Sequence, residues 1–593
     1  MSDMEHEGTP HASRRQVIVG AALLGAGAAV GGGLVTGCGT GGSDSGDKND
    51  ERHQTLFMAG WQWGPAPNFN PCSPTAGFPC QTNQMHLIYE TLFAFDLRDS
   101  SLKPELGVSF DMPDGKTIVV KMQKDAKWQD GKPVTADDVV FTFDLGKRHP
   151  EVNWNSAWEY LAGVTKVDDT TVKFALNPER TNPGMTKTNL CQTYILPAHL
   201  WTEIEKSNAK IVEYPNNQPV GSGPYKLGPV DQSKLSYLRD DNYWGKSLHN
   251  GQLPATKKIV HPIFKDNAAG NLAFESGEVD VMQQFTPQIW KMWEDKKKPV
   301  VTWFREPPYF IPGGMPMLVF NTAKPGLNNP KVRRAIAYSI DYARIAEQAM
   351  SKYSDPAQSS LLLPKGSDQQ YFDAANVAAN GWKFDPEKTK QILEGELGAK
   401  KGSDGIYVLP DGTKLGGWKV QTPTGWTDWQ TAIQIVAEST KKVGLGIEVD
   451  FPEANQLTPN VQTANFDLVL WYIGAQTTAA TPWQRFRDVM DMRGVNPAGQ
   501  NAFYNYGRFS DPRVAPLLDK AATATGDELK KTYKELDTIY MQNAPMVPLM
   551  YRPLDFFEAN ESVWTGFPTE KNPTAPPTFS GAGMLWLYEL KTK

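Results

Sequence analysis

No two of the eight histidines in this 593-residue chain stand four residues apart, so the two-His helical zinc motif is missing. His86, His199 and His261 are read instead as structural residues. A Gly-x-Ser-x-Gly elbow, a phosphate-cradling P-loop and a Cys-x-x-Cys pair are also absent, which removes the signatures of serine hydrolysis, nucleotide chemistry and dithiol catalysis. Carboxylate pairs such as Asp137-Asp138 and Asp240-Asp241 are adjacent in sequence, whereas glycoside hydrolysis needs carboxyl groups opposed across the scissile bond. No catalytic residue, cofactor or metal is therefore assigned. Concentrated positive charge is scarce as well. The formal net charge is -6, and the densest basic cluster, Lys296-Lys297-Lys298, directly follows Glu294 and Asp295. A nucleic-acid partner, which requires an uncancelled basic face, is excluded.

Long apolar runs are limited to one, residues 17–35, which carries no charge and is preceded by Ser13-Arg14-Arg15. A basic start, an apolar middle and small residues before a cut site describe an export signal. The run ends in Val35-Thr36-Gly37-Cys38, which resembles the bacterial lipobox, with Val35 where that motif most often has Leu. The expectation is a signal peptide over 1–37, lipidation of Cys38, and a flexible linker over 38–54 that tethers an extracytoplasmic protein to the cell membrane. A retained membrane span competes with this reading, but Gly20, Gly25, Gly27, Gly31, Gly32 and Gly33 make a poor helix, at about 1 kcal/mol each relative to Ala. Arg14-Arg15 leaves open a twin-arginine route.

Of the four cysteines, Cys72 and Cys80 bracket a short Pro/Gly loop. In an oxidising compartment they are expected to be bridged, with Cys191 free; so short a loop gives roughly 2 to 3 kcal/mol of stabilisation.

More than 500 residues follow the linker, too many for one core, so at least two lobes are expected. Residues 117–122, after Pro113-Asp114-Gly115, and residues 164–167 and 171–176, around Asp168-Asp169, read as antiparallel strands and hairpins. Thr135 is placed to cap a helix with Asp137 and Asp138 in its first turn and Val139, Val140 and Phe143 inward. Asn329-Pro330 and Asp385-Pro386 mark two further helix starts. Thr427 to Gln430 has capping-box spacing, and that helix should end near Gly444 before a strand over 447–451. A last helix over 528–542 should lead into a strand over 546–551. Helix alternating with strand indicates α/β construction.

Aromatic residues are the positive signal. Eighteen tryptophans include the clusters Trp61/Trp63, Trp426/Trp429 and Trp471/Trp483. An indole face covers the C–H face of a sugar ring while its N–H donates to a hydroxyl. These six residues, with Asn321 after the strand-like 317–320 and Gln476, are the candidate ligand contacts. Asn321 reads equally as a residue that satisfies backbone at a strand end.

Several segments converge on one family. Lys127-Trp128-Gln129-Asp130-Gly131-Lys132-Pro133-Val134-Thr135-Ala136-Asp137-Asp138-Val139 resembles the signature of extracellular solute-binding proteins of the oligopeptide-binding type, which serve ABC importers. Pro219-Val220-Gly221-Ser222-Gly223-Pro224-Tyr225, Asn242-Tyr243-Trp244-Gly245, Ser276-Gly277-Glu278-Val279-Asp280 and Val332-Arg333-Arg334-Ala335-Ile336 resemble its later landmarks, in order. The resemblance implies an α/β fold of two lobes joined by a hinge, with an extra domain inserted in the first. The expected boundaries are a first lobe over 55–310 with its insertion near 96–215, a second lobe over 311–545, and a return over 546–593. It also implies a monomer that closes on its ligand and hands it to ABC permease subunits.

Peptide binders of this family usually carry an Asp just after the strand corresponding to 466–471, where it meets the peptide's amino terminus. Residues 472–487 contain no carboxylate. Gly425-Trp426-Thr427-Asp428-Trp429 resembles instead the branch that binds cello-oligosaccharides. An oligosaccharide is favoured, an oligopeptide is the alternative, and a surface glycoside hydrolase or a purely structural lipoprotein stands further off.

Overall fold

A computed structural model describes residues 51–472 and 478–593. The signal segment, Cys38 and Gln476 lie outside the described residues. Two large sheets organise the chain. The first has seven strands in the order Val300–Val301, Phe557–Asn560, Val281–Gln283, Thr55–Ala59, Lys258–Pro262, Lys234–Arg239 and Tyr225–Leu227. Thr55–Ala59 lies at its centre and runs parallel to both neighbours. Its burial explains its composition, since a strand covered on both faces is apolar throughout. Leu56, Met58 and Ala59 are fully buried.

The second sheet has five strands, ordered Gly446–Asp450, Gly416–Gln421, Leu468–Trp471, Met317–Phe320 and Met546–Pro548. The first three are mutually parallel and the last two add antiparallel pairs. The strand expected over 546–551 thus ends at Pro548 and completes this sheet. A two-stranded ladder between Pro312–Gly314 and Arg552–Pro553 carries the chain out of the first sheet's region and back. Two sheets joined by paired crossing strands form the two-lobed body with its hinge.

Within the first lobe is an inserted four-stranded antiparallel sheet, ordered Gly107–Asp111, Thr117–Met122, Thr171–Leu176 and Leu161–Asp168. The two hairpins read from the sequence are both here. Ala136–Arg148 packs on this sheet, with Val139 and Phe143 fully buried and Val140 half-buried on its flank. The Asp138 carboxylate accepts from the Thr135 backbone N–H at 2.8 Å, which occupies an otherwise orphaned donor at the helix start. The Asn-Pro and Asp-Pro starts hold as well. Asn329 accepts from the Lys331 N–H ahead of Pro330–Ser339, and Asp385 from the Lys388 N–H ahead of Pro386–Lys390.

The expected Cys72–Cys80 bridge is corrected: both residues are free thiols, as is Cys191. Polar closure of the loop takes the place of sulfur. Gly77 N–H donates to the Asn68 carbonyl at 2.7 Å and Cys72 N–H to Asn70 Oδ1 at 2.9 Å. The Asn70 amide in turn donates to Ile211 O at 2.8 Å and Tyr214 O at 2.9 Å. Both sulfurs are buried in the first-lobe core, and burial raises both thiols above the ordinary range, so neither forms a reactive thiolate.

Candidate ligand-binding site

Ligands of open α/β sheets bind outside the carboxyl ends of the strands, and both sheets present those ends to one cavity of about 410 Å³. From the first lobe come Gly60, Trp61 and Trp63 after Thr55–Ala59, and Gln283, Gln284 and Phe285 at the end of Val281–Gln283. Gly60 makes this approach feasible. Its φ is 101°, and a Cβ there would lie 2.0 Å from the Gln283 carbonyl oxygen, so only glycine lets the chain turn over its neighbour.

His261 holds Trp61 in place. Burial depresses its imidazole to about 4, leaving it neutral, and Nε2 accepts from the Trp61 backbone N–H at 3.1 Å. The Trp61 ring leans on Phe78 at 6.5 Å and Phe579 at 6.1 Å.

The second lobe supplies Thr424, Gly425, Trp426, Asp428, Trp429 and Tyr472, and the crossing strand supplies Arg552. Gly425, at φ 81°, turns the chain from its strand into Thr427–Lys442. The helix begins at Thr427 but Thr427 does not cap it, which corrects the capping-box reading. Trp426 holds the cap position, and Gln430 N–H reaches its carbonyl at 2.8 Å. Asp428 is diverted instead into an ion pair, with Arg552 Nε donating to Oδ2 at 3.0 Å.

Four rings brace this wall. Trp426 meets Trp429 edge-on at 4.9 Å, lies parallel to Trp471 at 6.3 Å, and Trp429 meets Tyr472 at 4.6 Å. Among the described residues the buried indole N–H groups of Trp61 and Trp429 have no hydrogen-bond partner. Both nitrogens are closed off from solvent in this conformation, so the cavity is lined by the faces and edges of these rings rather than by open indole donors.

The structure therefore brings Trp61, Trp63, Trp426 and Trp429 to one cavity, with Trp471 stacked behind them. Asn321 and Trp483 do not line this cavity. Asn321 is buried and donates to Ala464 O and Phe466 O, both at 2.9 Å, satisfying backbone beyond its strand. Trp483 is buried and donates to Leu518 O at 2.7 Å. Sequence reasoning missed Tyr472, Arg552, Gln283 and Gln284. Tyr472 follows a tryptophan already singled out, but the others have no local signal.

A groove of about 710 Å³ around Tyr338, Trp382 and Phe384 is larger but is lined by the second lobe alone. A ligand there would gain nothing on closure, since only differential affinity shifts a conformational equilibrium. Among the described residues no cluster of His, Cys, Asp or Glu could hold a metal ion, and no helix is long and apolar enough to cross a membrane.

The family model described as bacterial extracellular solute-binding proteins, family 5 (middle), matches residues 101–485. The chain belongs to this family. Family members are receptors of ABC importers, not enzymes, and work outside the cytoplasm. A Thermotoga maritima periplasmic oligopeptide-binding protein of an oligopeptide ABC transporter, crystallised with mannohexaose, is 30% identical. The match covers 92% of this chain and 99% of that one, with a TM-score of 0.82. A probable peptide-binding protein of Agrobacterium fabrum, YejA, is 25% identical over 531 residues, 82% of this chain and 83% of that protein. The dipeptide-binding protein of Escherichia coli is 25% identical over 509 residues, 81% of this chain and 86% of its own length.

Proposed function

We propose that this importer receptor carries an uncharged linear oligosaccharide, of the cello-oligosaccharide type, from a lipid anchor at Cys38 to its permease. The observation that carries the reading is the cavity itself, in which tryptophans from both lobes face one another without an unpaired charge. Lys265 lies beside Asp266 and Arg552 beside Asp428, so the ionic side chains that line it cancel in pairs. Indole faces suit the C–H faces of pyranose rings. Because the walls belong to different lobes, one sugar chain held by both favours the closed state. The mannohexaose-bound relative supports the same ligand class.

The test is titration calorimetry and tryptophan fluorescence with cello- and manno-oligosaccharides against peptides of similar length. Saturable binding of a sugar at micromolar concentration, about 8 kcal/mol, is expected, and peptide binding without sugar binding overturns the reading. Peptide is the second reading because the names of the curated relatives favour it. Against it, a peptide ammonium desolvated in this cavity would find no uncommitted carboxylate, at a cost of several kcal/mol. Anchoring is tested separately by incorporation of labelled fatty acid, which Cys38→Ala should abolish.

A further inference from the structure

Arg552 stands where the ligand cavity meets the hinge. It lies on one of the two crossing strands, paired with Gly314, and it also lines the cavity. Its guanidinium sits 4.4 Å from the centre of the Phe556 ring and 6.0 Å from that of Tyr472. Nε is committed to Asp428, whereas neither Nη group has a hydrogen-bond partner among the described residues. The side chains of Arg552 and Asp428 are only 12% and 4% exposed, so little solvent screens the pair. Lys265 and Asp266, the other charged lining residues, are 84% and 49% exposed and adjacent. The deep part of the cavity therefore holds one cation, its paired Asp428 carboxylate and two uncommitted Nη groups, with the buried Asp555 carboxyl behind the guanidinium and within its field.

We propose that Arg552 is a specificity-determining ligand contact, its Nη groups donating to sugar hydroxyls while Asp428 cancels its charge, so that the cavity selects uncharged over carboxylate-bearing saccharides. This rests on the oligosaccharide reading. A saccharide carboxylate beside Arg552 would be desolvated with Asp428 already occupying the cation's field. Its attraction would be offset by repulsion, leaving the desolvation cost uncompensated. A hydroxyl needs only the donors. Since the contact is made from a crossing strand, ligand held by Arg552 bears directly on the element that must bend for the lobes to close.

The test compares the purified full chain with Asp428→Asn, Arg552→Gln and the double variant. Cello-oligosaccharides serve as probes beside the same chains oxidised at C6 to uronates. Asp428→Asn keeps the side-chain shape and an oxygen acceptor for Arg552. Its neutral-to-uronate affinity ratio should fall at least about tenfold, and the change should fade in about 0.5 M salt. Arg552→Gln should weaken neutral binding about tenfold without gaining uronate affinity, and the double variant should also gain none.

A second readout needs no sugar. Quenching of tryptophan fluorescence by iodide, but not by neutral acrylamide, should rise in Asp428→Asn, where Trp426 and Trp429 adjoin a cation that has lost its hydrogen-bonded carboxylate and keeps only Asp555 behind it, and should return to the parent level in the double variant. A folded Asp428→Asn protein with the parent's iodide quenching overturns the proposal, as does one with the parent's sugar ratio. If the parent binds no saccharide, the oligosaccharide reading falls and the selectivity proposal falls with it. The iodide comparison then still decides whether Asp428 cancels a cation that faces the cavity.

Discussion

On the second-lobe side of the cavity Trp426, Trp429, Trp471 and Tyr472 brace one another ring against ring, and Trp429 is 1% exposed. On the first-lobe side Trp61 leans on two phenylalanines, and Trp63 stands 45% exposed with no ring contact among the described residues. One wall is part of a core that happens to face the cavity; the other is a loop end displayed above a sheet. A ligand meeting the braced wall orders little on contact. Meeting the displayed wall, it must immobilise side chains, and each costs free energy that closure has to recover. On the proposed oligosaccharide reading, the difference predicts first capture by the second lobe and locking by the first.

The comparison breaks most readily at Trp429. Replacing it with Ala removes a fully packed ring and should cost about 3 to 5 kcal/mol in unfolding free energy, read by denaturant titration, with the ligand-induced fluorescence change lost as well. Unchanged stability would mean the wall is not braced as described.

Removing one partner of the nearby ion pair should cost somewhat less. Asp428→Ala strands the Arg552 guanidinium against Phe556 and Tyr472, and a partly buried unpaired charge costs about 3 kcal/mol. Arg552→Met, which removes the charge as well as the pairing, should recover much of that loss when combined with it.

Below the walls, each lobe carries a buried carboxyl whose titration reports on that lobe alone. Burial raises Glu90 in the first lobe to about 8 and Asp537 in the second to about 7. Glu90 accepts from Tyr243 and Trp244, and Asp537 from Ser360 Oγ and the Leu361 N–H. Between the ordinary carboxyl range and these values the folded state keeps a proton that the unfolded chain has released. The folded state then binds more protons, so stability falls as pH rises. The decline should run from about pH 4.5, with Asp537's share complete near pH 7 and Glu90's near pH 8. Unfolding titrations across pH 5 to 9 should show Asp537→Asn flattening the earlier part and Glu90→Gln the part that persists to higher pH.

How much of this was legible depended on whether the signal was local. Asn329-Pro330, Asp385-Pro386 and the turn at Asp168-Asp169 specify their structure within a few residues, and each element formed where it was read. The tryptophan clusters placed four of the cavity's rings. What the sequence concealed was pairing at a distance. Asp428 looks like an ordinary acidic residue of a helix's first turn until Arg552, on a crossing strand far along the chain, claims its carboxylate. Asn321 looks like a ligand contact until the backbone beyond a neighbouring strand claims its amide. Gln283 lines the cavity beside Gly60, just past the end of Thr55–Ala59, where only glycine lets the chain turn over the Gln283 carbonyl.

The smallest expected effect is the most diagnostic for the exposed wall. Trp63→Ala removes a ring that little packs against, so unfolding free energy should change by no more than about 0.5 kcal/mol, as at surface sites generally. Affinity should nevertheless fall about tenfold, near 1.4 kcal/mol, because the ring finds its stacking partner only when ligand bridges the lobes. The loss should appear mainly as faster release, since capture by the second lobe is untouched and contacts completed on closure govern the off-rate. A Trp63→Ala protein that binds more slowly but releases at the parent rate would reverse the order of capture and locking assigned to the two walls.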